Sequence, residues 1–309
     1  MCTAITYRTR DFYFGRTLDY ECGYAEEITV TPRGYLGNRY ALLGMAYVVD
    51  EYPLYYDAAN EVGLCMAGLN FVQNAYYQSG DGVAPHELIP RILGACATVA
   101  QAKEMLKDMR LVDRGFGDLP IARLHWLVAD GQDCLVVEPH QEGLRLHENS
   151  VGVLANDPPF PMQLHHLQTF RHLSAKTPSN TFGLPLEAIG RGTGSIGLPG
   201  DFTSPSRFVR AAFMRANAVS FTSEIESVCQ FFHLLDAVSI PRGVCDIGEG
   251  HYHHTLYANC INASKGIYYV TTYDNRRIAA VTLQKTGESL RRYPIFRQME
   301  IDSLNGAVI

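Results

Sequence analysis

The alternation of apolar and polar positions begins at the first residues of the chain. Segments 2–8 and 12–18 read as the two arms of a hairpin turning at Thr9-Arg10-Asp11. A third strand over 27–31 is closed by Pro32-Arg33-Gly34, and the apolar runs 40–49 and 63–71 predict buried strands. Helical spacing takes over at roughly 86–97 and again at 99–109, where Thr98 and Gln101 form a capping pair at the start. A strand meander follows over 124–128, 134–138, 144–146 and 151–154, with Asp130-Gly131 at its first turn. Residues 157–203 are rich in Pro, Gly, Ser and Thr and predict a long excursion. Two helices, 206–216 and 223–237, come next, the second with Ser223 and Glu226 as its capping box; strands 255–260, 267–272 and 278–283 follow. Strands and helices arranged without regular βαβ alternation predict an α+β fold, antiparallel sheets covered by helices. No repeat and no linker divides the sequence, so one domain over 1–309 is expected.

Composition narrows the function. Hydrophobic residues are 47% and charged residues 19% of the 309, an ordinary globular balance that excludes disorder. Lys plus Arg number 26 against 32 Asp plus Glu, a net charge of −6 with no basic run, so no nucleic-acid partner is expected. No apolar stretch approaches the ~20 residues of a membrane helix, and the N-terminus has no basic segment leading into an apolar core. A cytoplasmic protein without a membrane partner is therefore expected. The eight cysteines stand singly, with no C-x-x-C, and predict free thiols.

Two letter patterns are set aside. Gly192-Thr-Gly194-Ser-Ile-Gly197 matches a dinucleotide fingerprint but leads into Leu198-Pro199-Gly200 rather than a helix, so a glycine-rich loop is expected. His251, His253 and His254 lack a fourth donor at zinc spacing and read as a solvated loop. No cofactor and no metal are expected.

Cys2 carries chemistry by position. If Met1 is cleaved, the thiol and the free α-amine belong to one residue, and the amine can serve as base for its own side chain. Arg16 and Asp19, in Phe14-Gly-Arg-Thr-Leu-Asp19, lie on the strand antiparallel to Cys2. Residues three apart face opposite sides of a regular strand, so both serve Cys2 only where the strand bends or ends.

The segments Met1-Cys2-Thr-Ala-Ile-Thr, Phe14-Gly-Arg-Thr-Leu-Asp19, Tyr52-Pro53, Ala67-Gly-Leu-Asn70-Phe71, Leu124-His-Trp126, Gly152-Val-Leu-Ala-Asn156-Asp-Pro158, Gly192-Thr-Gly194, Gly197-Leu-Pro-Gly-Asp201 and Ser206-Arg207-Phe208 occur in that order. Up to about residue 285, the series resembles the choloylglycine hydrolase family, the bile salt hydrolases and penicillin V acylases of the N-terminal-nucleophile superfamily.

The resemblance implies a four-layer αββα fold, two stacked antiparallel sheets between helical layers. It implies Cys2 as nucleophile and, through its amine, base. Arg16 and Asp19 would position and polarise Cys2, Asn70 and Asn156 would form the oxyanion hole, and Arg207 would support the charge of the site. Ala155 departs from the Thr that relatives commonly carry before the Asn. Asn70, where penicillin V acylases often carry Tyr, points to glycine- or taurine-conjugated bile salts. Segment 165–200 resembles a tetramer assembly loop, which implies a homotetramer.

A steroid needs apolar walls with few polar anchors. Leu18, Tyr20, Tyr24, Val49, Tyr55, Tyr56, Phe116 and Leu119 are candidates for that wall, and each is as compatible with ordinary core. Two rivals are a non-catalytic bile-acid- or lipid-binding relative, against which the intact catalytic set argues, and an N-terminal-Cys glutaminase domain, for whose synthase partner the chain leaves no room.

Overall fold

The opening alternation becomes the antiparallel pair β1 (Cys2–Arg8) and β2 (Phe12–Tyr20) in a computed structural model that describes residues 1–283 and 287–296. Burial runs almost unbroken along both strands because they lie in an inner layer with a covered face on each side. They centre a six-stranded sheet of order β10-β1-β2-β13-β14-β15, with β10 Val153–Leu154, β13 His254–Asn262, β14 Ile267–Thr272 and β15 Ala279–Thr282. An eight-stranded sheet stacks against it in the order β16-β3-β4-β5-β6-β7-β8-β9. Its strands are β3 Glu27–Thr31, β4 Leu42–Val49, β5 Tyr52–Asn60, β6 Cys65–Asn70, β7 Leu124–Ala129, β8 Cys134–His140, β9 Gly143–Glu148 and β16 Arg291–Pro294. Every pairing between named strands is antiparallel.

Helices cover both outer faces. Leu88, Ile89, Ile92 and Leu93 line one face of α1 (Leu88–Ala95), which with α2 (Val99–Lys107) buries Leu42, Ala46, Tyr55, Ala58 and Met66 of the eight-stranded sheet. On the other side α4 (Ser204–Asn217) and α5 (Glu224–Asp236) set Phe208, Ala211, Phe231 and Leu235 against β1, β2 and β13. The layers therefore run αββα, as the family resemblance implies.

Five elements depart from the sequence reading, among them the edge strand β16, whose Arg291-Arg292-Tyr293-Pro294 offers no apolar run. Strand β5 was not anticipated, because Pro53, Asp57 and Asn60 break its apolar pattern although Asp57 and Asn60 are buried. Segment 157–203 contains helix α3 (Phe160–Gln168), started by Pro159 and Pro161, which the first turn tolerates because its N–H groups have no acceptor within the helix. The helix expected from 86 opens as a 3₁₀ turn, Pro85–Glu87, and gives way to an extended Cys96. The histidine segment is not a solvated loop. Strands β11 (Asp246–Gly248) and β12 (His251–Tyr252) pair there, and only His251 is exposed. His254 is buried in β13, within 3.1 Å of Arg242, and His253 stacks on Tyr20, their ring centroids 5.5 Å apart.

Gly15 explains why the Phe-Gly-Arg segment tolerates no side chain. A Cβ there would lie 2.0 Å from the backbone oxygen of Asn259 and 2.9 Å from the Phe231 ring. Backbone cannot yield as a flexible side chain can, so Gly15→Ala is expected to cost at least about 1–3 kcal/mol. A urea midpoint equal to that of the unchanged protein would contradict this close packing.

Candidate active site

The register of β1 against β2 builds the site. Cys2 lies opposite Leu18, Thr3 opposite Thr17 and Ala4 opposite Arg16. Facing residues share a side, so Cys2, Arg16 and Leu18 look toward the eight-stranded sheet while Thr3, Thr17 and Asp19 look toward α4. Arg16 and Asp19 thus do face opposite ways, and a bend in β2 is not what lets both act. They reach Cys2 from its two sides. The irregularity lies in the neighbouring strand, where β13 carries Leu256 as an extra residue between the Thr255–Asp19 and Tyr257–Leu18 pairs.

On the inner side, Arg16 Nη2 donates to Cys2 Sγ at 2.5 Å. Its Nη1 donates to the carbonyls of Gly68 at 2.5 Å and Tyr56 at 3.3 Å, and Nε donates to its neighbour Thr17 at 3.2 Å. The side chain is fixed at every nitrogen and fully buried. Burial works against its charge, but Cys2, Tyr257, Asp57 and Asp19 outweigh that and push its pKa above the ordinary value. Any negative charge that builds on the sulfur therefore meets a positive group already in place.

Behind Arg16 stands Asp57, buried and bonded by the hydroxyls of Tyr257 at 2.8 Å and Tyr268 at 2.7 Å and by Asn259 Nδ2 at 3.0 Å. Burial pushes its carboxyl up against the lowering influence of Arg16 and these donors. Asn259 Oδ1 also accepts the Arg16 N–H at 2.8 Å.

On the outer side, Arg207 of α4 donates from Nη1 to the Cys2 carbonyl at 2.6 Å and to Thr3 Oγ1 at 2.5 Å, and from Nη2 to Asn156 Oδ1 at 2.7 Å. Burial lowers its pKa, with Asp19 and Cys2 opposing. Asp19 Oδ2 lies 3.9 Å from Nη1 of Arg207, while its Oδ1 and Oδ2 accept from Thr255 at 2.6 Å and Thr17 at 3.1 Å. Asp19 accordingly touches Cys2 through Arg207.

Asn156 follows β10 and closes the cluster. Its Oδ1 accepts the Cys2 N–H at 2.8 Å as well as Arg207, which fixes the amide orientation because both partners are donors. Its Nδ2 donates to the Asn70 carbonyl at 2.8 Å. Asn70 ends β6. The Phe71 N–H donates to the carbonyl of Arg123, the residue before β7, so by strand alternation the N–H and carbonyl of Asn70 point away from β7, on the side of Asn156. Among the described residues the Asn70 carboxamide has no hydrogen-bond partner.

All six expected catalytic positions are thus brought together. The expected wall residues divide. Leu18 and Tyr56 are half-buried beside the cluster, and Tyr20, Tyr24 and Tyr47 form an aromatic row with centroid spacings of 6.2 Å. Tyr55 points the other way, its hydroxyl 2.7 Å from Thr31 among residues packed on α1, so it belongs to the core. Phe116 stacks on Tyr52 at 5.2 Å at the tip of the β4–β5 hairpin, near Val49 and Leu119.

Asp57, Asn259, Thr255, Thr17 and Thr3 were not singled out from sequence. Each is an ordinary polar residue in a strand, and only the cross-strand register gives it a partner. Gly192–Gly197 forms a turn around the 3₁₀ segment Thr193–Ser195, where a Cβ on Gly194 would meet Ser174 and Lys176 backbone oxygens. Among the described residues no group of three or more His, Cys, Asp or Glu is placed to hold a metal, and no helix is long and apolar enough to cross a membrane.

A sequence profile of linear amide C–N hydrolases of the choloylglycine hydrolase family matches residues 2–290. The chain is 46% identical over 299 residues to a bile salt hydrolase/transferase of Lactiplantibacillus plantarum, covering 92% of each. It is 33% identical to the bile salt hydrolase/transferase of Clostridium perfringens, covering 99% of this chain and all of that one. A solved variant of conjugated bile acid hydrolase from Clostridium perfringens superposes with a TM-score of 0.91 at 32% identity, covering 98% of this chain and 100% of that one. Penicillin V acylase from Agrobacterium tumefaciens shares the fold, with a TM-score of 0.75 at 21% identity over 96% of this chain and 95% of that one.

Proposed function

Since the chain belongs to the choloylglycine hydrolase family of linear amide C–N hydrolases, and is an amidohydrolase, we propose that it cleaves glycine- or taurine-conjugated bile salts through a thioester on Cys2. The observation that carries this reading is that three atoms of Cys2 are each held by a different buried group: Sγ by Arg16, N by Asn156 and the carbonyl by Arg207.

Removal of Met1 turns the Cys2 nitrogen into an α-amine, a group of ordinary pKa about 7.7–8.0 that can take a proton at neutral pH. The amine accepts the thiol proton as sulfur attacks the amide carbon, and the carbonyl electrons move onto oxygen. A free Nδ2 hydrogen of Asn156 and the N–H of Asn70 meet that oxyanion. The intermediate collapses, the C–N bond breaks, and the amine's extra proton goes to glycine or taurine as it leaves. Water then attacks the thioester, yielding the free bile acid and restoring the thiol. Asp19 holds Arg207 in place, and Leu18 and Tyr56 begin the apolar wall for the steroid.

Within segment 165–200 the side chains of Phe182, Leu184, Leu186 and Ile189 are exposed. We read them as an assembly surface of a cytoplasmic homotetramer, which sedimentation of the purified protein would report as a single species of four chains.

The test is intact mass, expected to begin at Cys2, with parallel assays of glycocholate, taurocholate and penicillin V. A steroid acyl group burying an extra ~100 Å² at ~25 cal/mol per Å² gains about 2.5 kcal/mol of transition-state binding. Bile-salt kcat/KM should then exceed that for penicillin V by more than about tenfold, and Asn70→Tyr should move the ratio toward penicillin V. Faster cleavage of penicillin V by the unchanged enzyme replaces this reading with an acylase. Binding of bile acid without cleavage of any substrate replaces it with a carrier.

A further inference from the structure

We propose that His125 is a positioning residue for amide hydrolysis, tying together the two chain segments that present Asn70 and Asn156 to the reacting carbonyl. The proposal rests on the reading above, in which these two asparagines meet the oxyanion.

His125 lies on β7, fully buried, in the strand register that pairs Leu69 with His125 and Asn70 with Leu124. Its ring stacks flat on Phe71, the residue after Asn70, with centroids 4.4 Å apart and planes 4° from parallel. Its Nε2 lies 2.8 Å from the carbonyl of Ala155, the residue before Asn156. A carbonyl only accepts, so Nε2 carries the hydrogen. One imidazole therefore grips the neighbours of both asparagines. Among the described residues the direct hydrogen bonds between the two segments are Asn156 Nδ2 to the Asn70 carbonyl at 2.8 Å and, outside the site, Asn74 Nδ2 to Asp157 at 2.6 Å.

Glu138 backs the ring. Its Oε1 lies 3.4 Å from His125 Nδ1 and accepts the Phe160 N–H at 2.8 Å, at the start of α3. Its Oε2 lies 3.4 Å from both His140 and His147. Burial acts to raise this carboxyl, but the imidazoles of His125 and His147 beside it and the Phe160 amide hold it well below the usual carboxylate range. Gln163 of α3 donates to the carbonyls of Asn156 at 2.6 Å and Pro158 at 2.7 Å. The segment 155–160 is thus held at four points by three side chains, His125, Gln163 and Glu138, and of these His125 is the one that stacks on Phe71. Ordinary packing would need an apolar side chain here. A buried ring with both nitrogens aimed at acceptors supplies direction as well as volume.

The test compares His125→Gln with His125→Asn. The Gln carboxamide places its N–H near the original Nε2 and reaches Ala155, whereas that of Asn stops near Nδ1 and cannot. Displacing an oxyanion donor by a fraction of its bond length costs roughly tenfold or more in kcat. We expect His125→Asn to lose at least about tenfold in kcat with KM within about threefold, and His125→Gln to stay within about threefold of the unchanged enzyme. Alkylation of Cys2 by iodoacetamide should change far less than kcat in all three, because Arg16, which holds the sulfur, is untouched. Equal kcat in the two variants, or a change confined to KM, overturns the proposal. Should His125→Asn not fold, His125→Phe, which keeps the stack on Phe71 and loses the bond, takes its place with the same expectation. Each protein is assayed on whichever amide the unchanged enzyme cleaves, so a wrong substrate counts against the proposed function and leaves this comparison intact.

Discussion

Cys2→Ser is expected to fold normally and to lose at least about 10³-fold in kcat on glycocholate and taurocholate. The substitution leaves an acceptor for Arg16 Nη2 and leaves the Asn156 and Arg207 contacts on the backbone untouched. What changes is the nucleophile, since a hydroxyl is far less ionised than a thiol at neutral pH. Bile acid released over time measures the loss. The unchanged enzyme should be inactivated by iodoacetamide, and peptide mapping must identify the modified thiol because Cys22 and Cys229 are exposed. Wild-type-like turnover in Cys2→Ser, or indifference to iodoacetamide, would refute nucleophilic catalysis by this residue.

Asn156→Ala is expected to lower kcat by about 10²–10³ with a much smaller effect on KM, the signature of a donor whose bond strengthens only in the transition state. Three further losses accompany it, the first being the hydrogen bond from Asn156 Nδ2 to the Asn70 carbonyl. The Cys2 nitrogen and the buried Arg207 each lose an acceptor, and an unsatisfied buried donor costs about 1–3 kcal/mol, so the urea midpoint should fall as well. Asn156→Asp separates these contributions. It keeps an oxygen for Cys2 and Arg207 but has no N–H to give, so an activity as low as that of Asn156→Ala with better-preserved stability traces the loss to the missing Nδ2 hydrogens rather than to the lost acceptor. A pure rise in KM would make Asn156 a substrate-holding residue instead.

The strands that alternate or run apolar, β1 to β4 and β6 to β8, were legible from side-chain pattern alone, as were α2, α4 and α5 from spacing and caps. Gln101 N–H does bond Thr98 Oγ1 at 3.3 Å, and Glu226 N–H bonds Ser223 Oγ at 3.2 Å. Strand β5 was not legible because its most buried polar residue, Asp57, is satisfied by Tyr257, Tyr268 and Asn259, some 200 residues away. The same holds at the site. Cys2, Arg16 and Asp19 share a local hairpin and could be related by counting. The division of labour between Arg16 on the thiol side and Asp19 on the Arg207 side depends on which layer lies against each face of β2. That is a property of sheet stacking, and no local window of sequence contains it.

The pairing of β2 with β13 reaches further than geometry. The Thr255–Asp19 bond spans 236 positions of the chain, so a growing or refolding polypeptide holds its first hairpin long before the strand that completes the centre of that sheet is within reach. Closing so large a loop carries its entropic cost before any contact repays it, which makes this association a late and slow event in folding. Catalytic competence then appears only with the last stage of refolding. Recovery of amide cleavage after dilution from urea should lag behind recovery of strand signal in circular dichroism, and activity becomes a clock for closure of the central sheet.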